Sequence, residues 1–396
     1  MFKVQPYEFI DAEPWREDLE GRLKKLDRYK SMGFQTVVYV AEWGDQSTFR
    51  YRAYNMVQAL YGSAKWKGIY IYKAELDRAQ EYLNRIDCLV LVRYRWDLQL
   101  NHFLQEARKR EIPVVYDVDD YIFDIQALES LLKAQGILNP TEQEIQSWHL
   151  FVSRIYQAAS ICDVCMTTNY YLAGLIEKVI HKKCYVIDNF FNYWQYEASN
   201  YYYEQKKEYM NQEPRFCLGY FSGSNTHRED LNLAIRDLYE AFCAFPEWQL
   251  MIVGYMETEG YLQKLKEENR ITFIPIQNYI DLQKYIAEVD VNLIPLVNSE
   301  FANSKSELKY FEAGIVGTIS CASPTFVYQN CIENGVNGFL CEEKDWFSTV
   351  SALYKKGIDG SVVESARNKS IERYAYFNQL NHIEEVLDCI LKGEIK

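Results

Sequence analysis

Several things are scarce in this sequence, and each scarcity closes off a class of function. Positive charge is in deficit: 43 Lys and Arg stand against 56 Asp and Glu, a net charge of −13, which leaves no basic surface for a nucleic acid. Long apolar runs are missing as well. Stretches such as Cys88-Leu89-Val90-Leu91-Val92 are far too short to cross a bilayer, and no signal-peptide pattern opens the chain, so a cytoplasmic location is expected. The five histidines, His102, His149, His181, His227 and His382, are isolated from one another. Ten cysteines are scattered, and the only CxxC, Cys162 to Cys165, lies in an apolar run that reads as a buried strand. A packed, reduced pair is expected there rather than a metal or redox centre. No GxSxG elbow, HExxH or Walker A pattern occurs, which removes several hydrolase and NTPase readings. Neither a short-period repeat nor a low-complexity tract is present.

What is present is a regular alternation. The 396 residues, 48% hydrophobic and 25% charged, suffice for two domains with their own cores. Strands are expected at Thr36–Ala41, Ile69–Tyr72, Cys88–Val92, Val114–Val118, Val164–Thr168 and Tyr185–Asp188. A second set follows at Phe216–Phe221, Leu250–Val253, Thr272–Ile276, Val291–Pro295 and Thr318–Cys321. Helical patterns fill most of the gaps, the mark of βα units, so the fold class is α/β with two doubly wound parallel sheets in Rossmann-like domains. The division falls at 1–213 and 214–375, with 376–396 a terminal helix packing back across the junction. Leu128 to Ser153 is longer than a simple crossover and should carry helices over the mouth of the first domain. Arg16 to Lys30 is a basic helix, either a cover for the sheet or a contact for the inner face of a membrane. In such sheets ligands bind beyond the carboxyl ends of the strands, so those loops are where chemistry is sought.

Four stretches qualify. Asn303 to Gly314 reads as a helix start, with Ser304 as N-cap and Glu307 completing a capping box. Lys305, Lys309 and Glu312 would then share one face, suited to a diphosphate and a sugar hydroxyl pair; the alternative is a solvated helix face. The loop Phe221 to Glu229 offers a similar start, with Thr226 and Glu229 as the box, Gly223 and Ser224 for close backbone approach, and His227 and Arg228 on the first turn. Trp43 to Asn55 brings Arg50, Arg52 and Asn55 within reach of an anionic acceptor or a diphosphate, and Arg93 and Arg95 carry the same ambiguity. Finally Tyr116 to Asp124 clusters carboxylates at a strand end. Asp117 and Asp119 form a DxD pair that could hold a divalent metal, or Asp119 or Asp120 orients an acceptor hydroxyl. Consecutive strand residues face opposite ways, so at most two of these carboxylates share a site.

These residues resemble a family. Lys305-Ser306-Glu307-Leu308-Lys309-Tyr310-Phe311-Glu312-Ala313-Gly314 looks like the donor segment of family 4 glycosyltransferases with the GT-B fold, of the bacterial polysaccharide-assembly type. Glu333-Asn334-Gly335-Val336-Asn337-Gly338-Phe339-Leu340 is similar to their usual strand entry. The resemblance implies a metal-independent, cofactor-free retaining transferase that moves a sugar from a nucleotide-diphosphate donor to a glycan, lipid-linked or glycoprotein acceptor. It would assign the leaving diphosphate to Lys305 and Arg228, with Gly223, Ser224 and His227 beside it. Ser306 and Lys309 would lie at the donor, Glu312 would hold the ribose, and Asp119 would be the catalytic carboxylate on the acceptor side with Asp120, Arg50, Arg52 and Asn55. Two departures stand out: Ser304 occupies the place of the family's first glutamate, and Asp119 stands where many members carry a histidine. The other readings are a catalytically silent GT-B module that binds glycan or steadies a partner, a metal-dependent transferase using Asp117 and Asp119, and an epimerase. Oligomer formation and peripheral membrane contact are compatible with all of these.

Overall fold

The computed structural model describes residues 3–7, 13–209, 216–223 and 228–393. Its first sheet consists of β1 Gln35–Ala41, β2 Trp66–Tyr72, β3 Cys88–Val92, β4 Val114–Asp117, β5 Val164–Thr167 and β6 Cys184–Val186. The second contains β7 Cys217–Ser222, β8 Gln249–Gly254, β9 Ile271–Ile274, β10 Val291–Ile294, β11 Ile319–Ala322 and β12 Phe339–Leu340. The strand orders are β2-β1-β3-β4-β5-β6 and β12-β11-β10-β7-β8-β9, and every pairing is parallel. The order reverses between β1 and β3 in one sheet and between β7 and β10 in the other. Those are the two places where such a sheet leaves a crevice at its carboxyl edge.

The central strands are buried on both faces, as parallel strands covered by helices must be, and they read as nearly unbroken apolar runs. The helix Leu19–Ser31 covers the first sheet: Leu23 and Leu26 enter the core, and buried Arg22 pairs with Glu75 and Tyr70 O. Its apolar stripe is therefore spent on the sheet, which favours the covering role over the membrane contact. Cys162 and Cys165 are buried free thiols, pushed up in pKa by that burial.

Three helices join the halves. Tyr193–Tyr209 leaves β6 and packs against Tyr279–Ala287 and Leu308–Ile315 of the second domain. Gly360–Tyr374 lies on Leu308–Ile315, so closely that a Cβ at Gly314 would sit 2.2 Å from Ser370 Oγ. Tyr376–Leu391 returns to the first domain, where Asp388 accepts from Trp66 Nε1 at 2.8 Å and Glu384 from the Ser63 hydroxyl. Among the described residues no helix is long and apolar enough to cross a membrane.

One glycine at the carboxyl edge of the second sheet has a steric necessity. Gly254 ends β8 with φ +103°, and a Cβ there would lie 1.8 Å from Ser222 O at the end of β7. Gly254→Ala is expected to cost about 2–3 kcal/mol of stability in a urea melt, because both the left-handed backbone and the backbone oxygen resist a side chain.

Candidate active site

Both crevices are present as cavities. The larger, about 720 Å³, lies between the halves. Its second-domain wall is Asp230, Leu296, Val297, Ser299 and Lys305, and its first-domain wall comes from residues 130–138. That first-domain wall includes part of the helix Leu128–Ala134, inside the long Leu128 to Ser153 connection. The smaller, about 340 Å³, lies beyond β1 and β3 and is bounded by Trp43, Thr48, Arg93 and Arg95 among others.

Charged residues connect the two. Lys305 Nζ lies 3.0 and 3.1 Å from the carboxylate oxygens of Asp120, an ion pair across the domains. Asp120 is also 3.9 Å from Arg93, whose guanidinium donates to Thr48 Oγ1 at 3.1 Å and lies 3.5 Å from Asp119. The Thr48 hydroxyl in turn donates to Asp119 at 2.9 Å. Burial works against the charge on Asp120, but Lys305 and Arg93 outweigh it and hold the carboxyl below its usual range. Asp119 and Asp120 thus link Lys305 on the wall of the larger cavity to Thr48 and Arg93 on the wall of the smaller.

The route by which Lys305 gets there differs from the sequence expectation. Ser304 is not the N-cap of the helix that carries Glu312; it ends a short helix, Glu300–Ser304, capped by Ser299, and its hydroxyl donates to Phe301 O. The next helix, Leu308–Ile315, begins with Glu307 at its N-cap position and no side-chain cap. Glu307 is 2% exposed, accepts from Tyr374 at 2.8 Å and pairs with Arg373 at 3.1 Å; burial, reinforced by Asp188, pushes it up to about 7. The break between the helices has a visible cause. Asn169 caps the helix Tyr170–Ile180 with its side-chain oxygen, and its amide nitrogen donates to Ser304 O at 3.0 Å and Lys305 O at 3.4 Å. Asn189 Nδ2 donates to Ser306 Oγ at 3.1 Å, and Tyr121 packs on Phe301 with centroids 5.1 Å apart. Lys305 therefore sits on a link that the first domain holds open.

Other candidates are placed elsewhere. Arg52 and Asp117 are both fully buried and form a two-pronged pair at 2.8 and 2.9 Å, with Arg52 also donating to Ile187 O at 2.6 Å. Arg52 is thus a core cation rather than an acceptor clamp, and Asp117 is committed to it, so Asp117 and Asp119 are not a ligand pair. Arg50 lies 4% exposed between the Tyr51 and Tyr279 rings and donates to Gln195 Oε1 at 2.9 Å. Asn55 is buried and exchanges hydrogen bonds with Phe190 O and Asn192. Both belong to the domain junction.

Glu312 is 7% exposed, and its Oε1 accepts from Tyr51 Oη at 2.6 Å and Gln195 Nε2 at 3.0 Å. Those partners come from β1's following helix and from Tyr193–Tyr209, and sequence reading missed both. Lys309 does not share a solvent face with Lys305. Its Nζ is sealed from solvent, has no hydrogen-bond partner and lies 5.1 Å from the Tyr220 ring. Burial lowers it to about 8, opposed by Asp230 and reinforced by Lys305. Gly223 is exposed at the end of β7. Ser224, Thr226 and His227 lie outside the described residues, as do the side chains of Arg228 and Glu229. Among the described residues no three His, Cys, Asp or Glu side chains converge as metal ligands.

Two parallel-sheet domains facing each other over a cleft at their carboxyl edges make this chain an α/β protein with the GT-B glycosyltransferase fold. Residues 216–356, most of the second domain, match the family described as Glycosyl transferases group 1. Solved structures share the whole architecture at low identity. HepE of Anabaena, solved with UDP and glucose, is 13% identical with a TM-score of 0.57 over 89% of this chain and 99% of its own. A glycosyltransferase from Rickettsia africae ESF-5 is 12% identical with a TM-score of 0.60 over 91% and 100%. Sucrose-phosphate synthase from Thermosynechococcus elongatus is 12% identical with a TM-score of 0.56 over 91% and 100%. A comparison with curated protein sequences finds no match.

Proposed function

We propose that the protein is a retaining glycosyltransferase that takes its sugar from a nucleotide-diphosphate donor in the larger cleft and passes it to a glycan, lipid-linked or glycoprotein acceptor held against the first domain. The observation that carries this reading is the ion pair of Lys305 with Asp120, which brings a cation from the second domain to the carboxylates of the first. Breaking the donor's glycosidic bond loads negative charge on the departing diphosphate and positive charge on the sugar. A preorganised ammonium at Lys305 stabilises the first, and Asp119 orients the acceptor hydroxyl whose oxygen forms the new bond. The acceptor proton leaves with the diphosphate or rests on Asp119. Of the solved relatives, HepE carries UDP and glucose, which supports a uridine nucleotide as the first donor to test. No metal or other cofactor enters this scheme.

Lys309 supplies a test with a definite sign. Lys309 Nζ is sealed from solvent and does not line the cleft, so a diphosphate there acts on it only through its field, which favours the protonated amine; in the free protein burial lowers that amine to about 8. Nucleotide affinity is therefore expected to be full below pH 8 and to weaken as pH rises through 8, and Lys309→Met should flatten that slope. Thermal shifts with UDP-, GDP- and dTDP-sugars at pH 6.5 and 9, chosen about 1.5 and 1 units either side, read it directly. Binding by none of them would sink the donor site.

One observation favours a second reading. Glu312, the residue that should hold the ribose, is bonded across the domains to Tyr51 and Gln195, and Ser304 replaces a carboxylate. A catalytically silent GT-B module that binds glycan or steadies a partner predicts no nucleotide shift in the same experiment.

A further inference from the structure

The smaller cavity is unassigned by anything above except its position, and its chemistry is specific. We propose that it binds one sugar ring of a neutral glycan acceptor, with Trp43 as the stacking platform; this rests on the transferase reading and names the class of acceptor that reading leaves open. A volume of about 340 Å³ is that of a small ligand pocket. It lies where the order of the first sheet reverses, the position at which an α/β sheet offers a crevice.

Three observations select a neutral sugar. Trp43 stays 57% exposed on the wall of a concavity, although the Arg95 guanidinium lies 5.5 Å from its ring centre. A large aromatic left open beside polar groups suits a pyranose, which has one apolar C–H face and a rim of hydroxyls. The cations of the cavity are also already matched. Arg95 donates to both oxygens of Glu42 at 2.7 and 2.5 Å, and Arg93 is shared by Asp119 and Asp120. A phosphate here would have to displace bidentate Glu42 from Arg95 or two carboxylates from Arg93, whereas hydroxyl groups can insert into such pairs as donor and acceptor at once. Finally Arg93 holds a backbone conformation of φ +45° in a non-glycine residue, fixed by its N–H donating to Asp117 O at 2.8 Å. That strain persists only where its surroundings impose it, and here it turns the guanidinium toward Thr48 and Asp119.

The cavity also has the right connection. Thr48 and Arg93 line it and both reach Asp119, while neighbouring Asp120 pairs with Lys305 on the wall of the donor cleft. A ring stacked on Trp43 would thus share its cavity with the two side chains, Thr48 and Arg93, that lead through Asp119 and Asp120 to the donor cleft.

Saturation-transfer NMR on the full chain tests this, with methyl glycosides of glucose, galactose, N-acetylglucosamine and rhamnose, and hexyl phosphate as the lipid-phosphate probe. At least one glycoside should receive saturation and hexyl phosphate none. Trp43→Ala should weaken the glycoside about tenfold and Trp43→Phe much less. The thermal shift with nucleotide sugars is measured on the same samples. Nucleotide binding without any glycoside signal, a glycoside signal unchanged in Trp43→Ala, or a signal from hexyl phosphate alone would overturn the proposal and leave the donor site standing. Glycoside binding that depends on Trp43, in a protein that binds no nucleotide, would uphold the sugar site and sink the transferase reading instead.

Discussion

Arg52→Met is expected to lower the unfolding free energy by about 3–5 kcal/mol. Arg52 and Asp117 are both fully buried, and the guanidinium also serves Ile187 O, Asn189 Oδ1 and Thr167 O. Removing it deprives a buried carboxylate, Ile187 O and Asn189 Oδ1 of this donor, while Thr167 O keeps the Ile187 N–H, and methionine supplies no replacement. The pH dependence follows from the same geometry. Burial pushes the Asp117 carboxyl up and Arg52 pulls it down, so without Arg52 the folded-state value rises further above the unfolded one. A raised acid contributes stability at low pH and loses it as pH rises toward the folded value. The variant should therefore be closer to wild type at pH 5 than at pH 8 in urea melts, where pH about 5 and 8 bracket the change. Arg52→Met/Asp117→Leu should recover most of the loss, because an apolar pair of similar volume leaves no orphaned charge. A double variant no more stable than the single one would show that the carbonyls, not Asp117, depend on Arg52.

Arg52 also shows where reading the sequence stops. The two sheets were legible because parallel strands buried on both faces are written as short apolar runs, and all strands but β12 fall where those runs do. β12 is two residues, Phe339–Leu340, and its existence depends on pairing with β11 rather than on its own pattern. The charged residues of the first loop misled because a cation beside a strand end looks the same whether it faces solvent or core. The signal that decides it was present: Tyr51, Ala53, Tyr54, Met56 and Val57 surround Arg52 and Asn55, so the helix is apolar on every side and its polar residues have nowhere to point but inward. The capping box at Ser304 failed for another reason. Ser299 caps the preceding turn, and the carbonyls of Ser304 and Lys305 are taken by Asn169, which lies 135 and 136 residues away in the chain. No local pattern encodes that competition. Asp119 and Asp120 follow β4 directly and are positioned by topology rather than by caps, whereas Lys305 comes after a further short helix and owes its place to the link that Asn169 holds.

Lys305→Ala should lower the rate of sugar transfer by about 100-fold while leaving the melting temperature within about 1–2 degrees of wild type. The stability arm follows from what remains: Lys305 is 36% exposed, and Asp120, 17% exposed, keeps Arg93 at 3.9 Å when Lys305 is removed. The activity arm follows from timing, since in the resting protein Asp120 satisfies the ammonium, and the need for it grows only as charge collects on the leaving diphosphate. Asp120→Asn separates the two roles. It frees Lys305 from its carboxylate and removes one of the two carboxylate partners of Arg93. Nucleotide binding should tighten because an unpaired cation faces the donor, yet transfer should fall because Lys305 and Arg93 are no longer held between the crevices. A variant with tighter nucleotide binding and lower kcat would mark Asp120 as a positioning residue. Equal losses in binding and kcat would mean that the ion pair only holds the domains together, and full transfer activity in folded Lys305→Ala would remove Lys305 from the chemistry altogether.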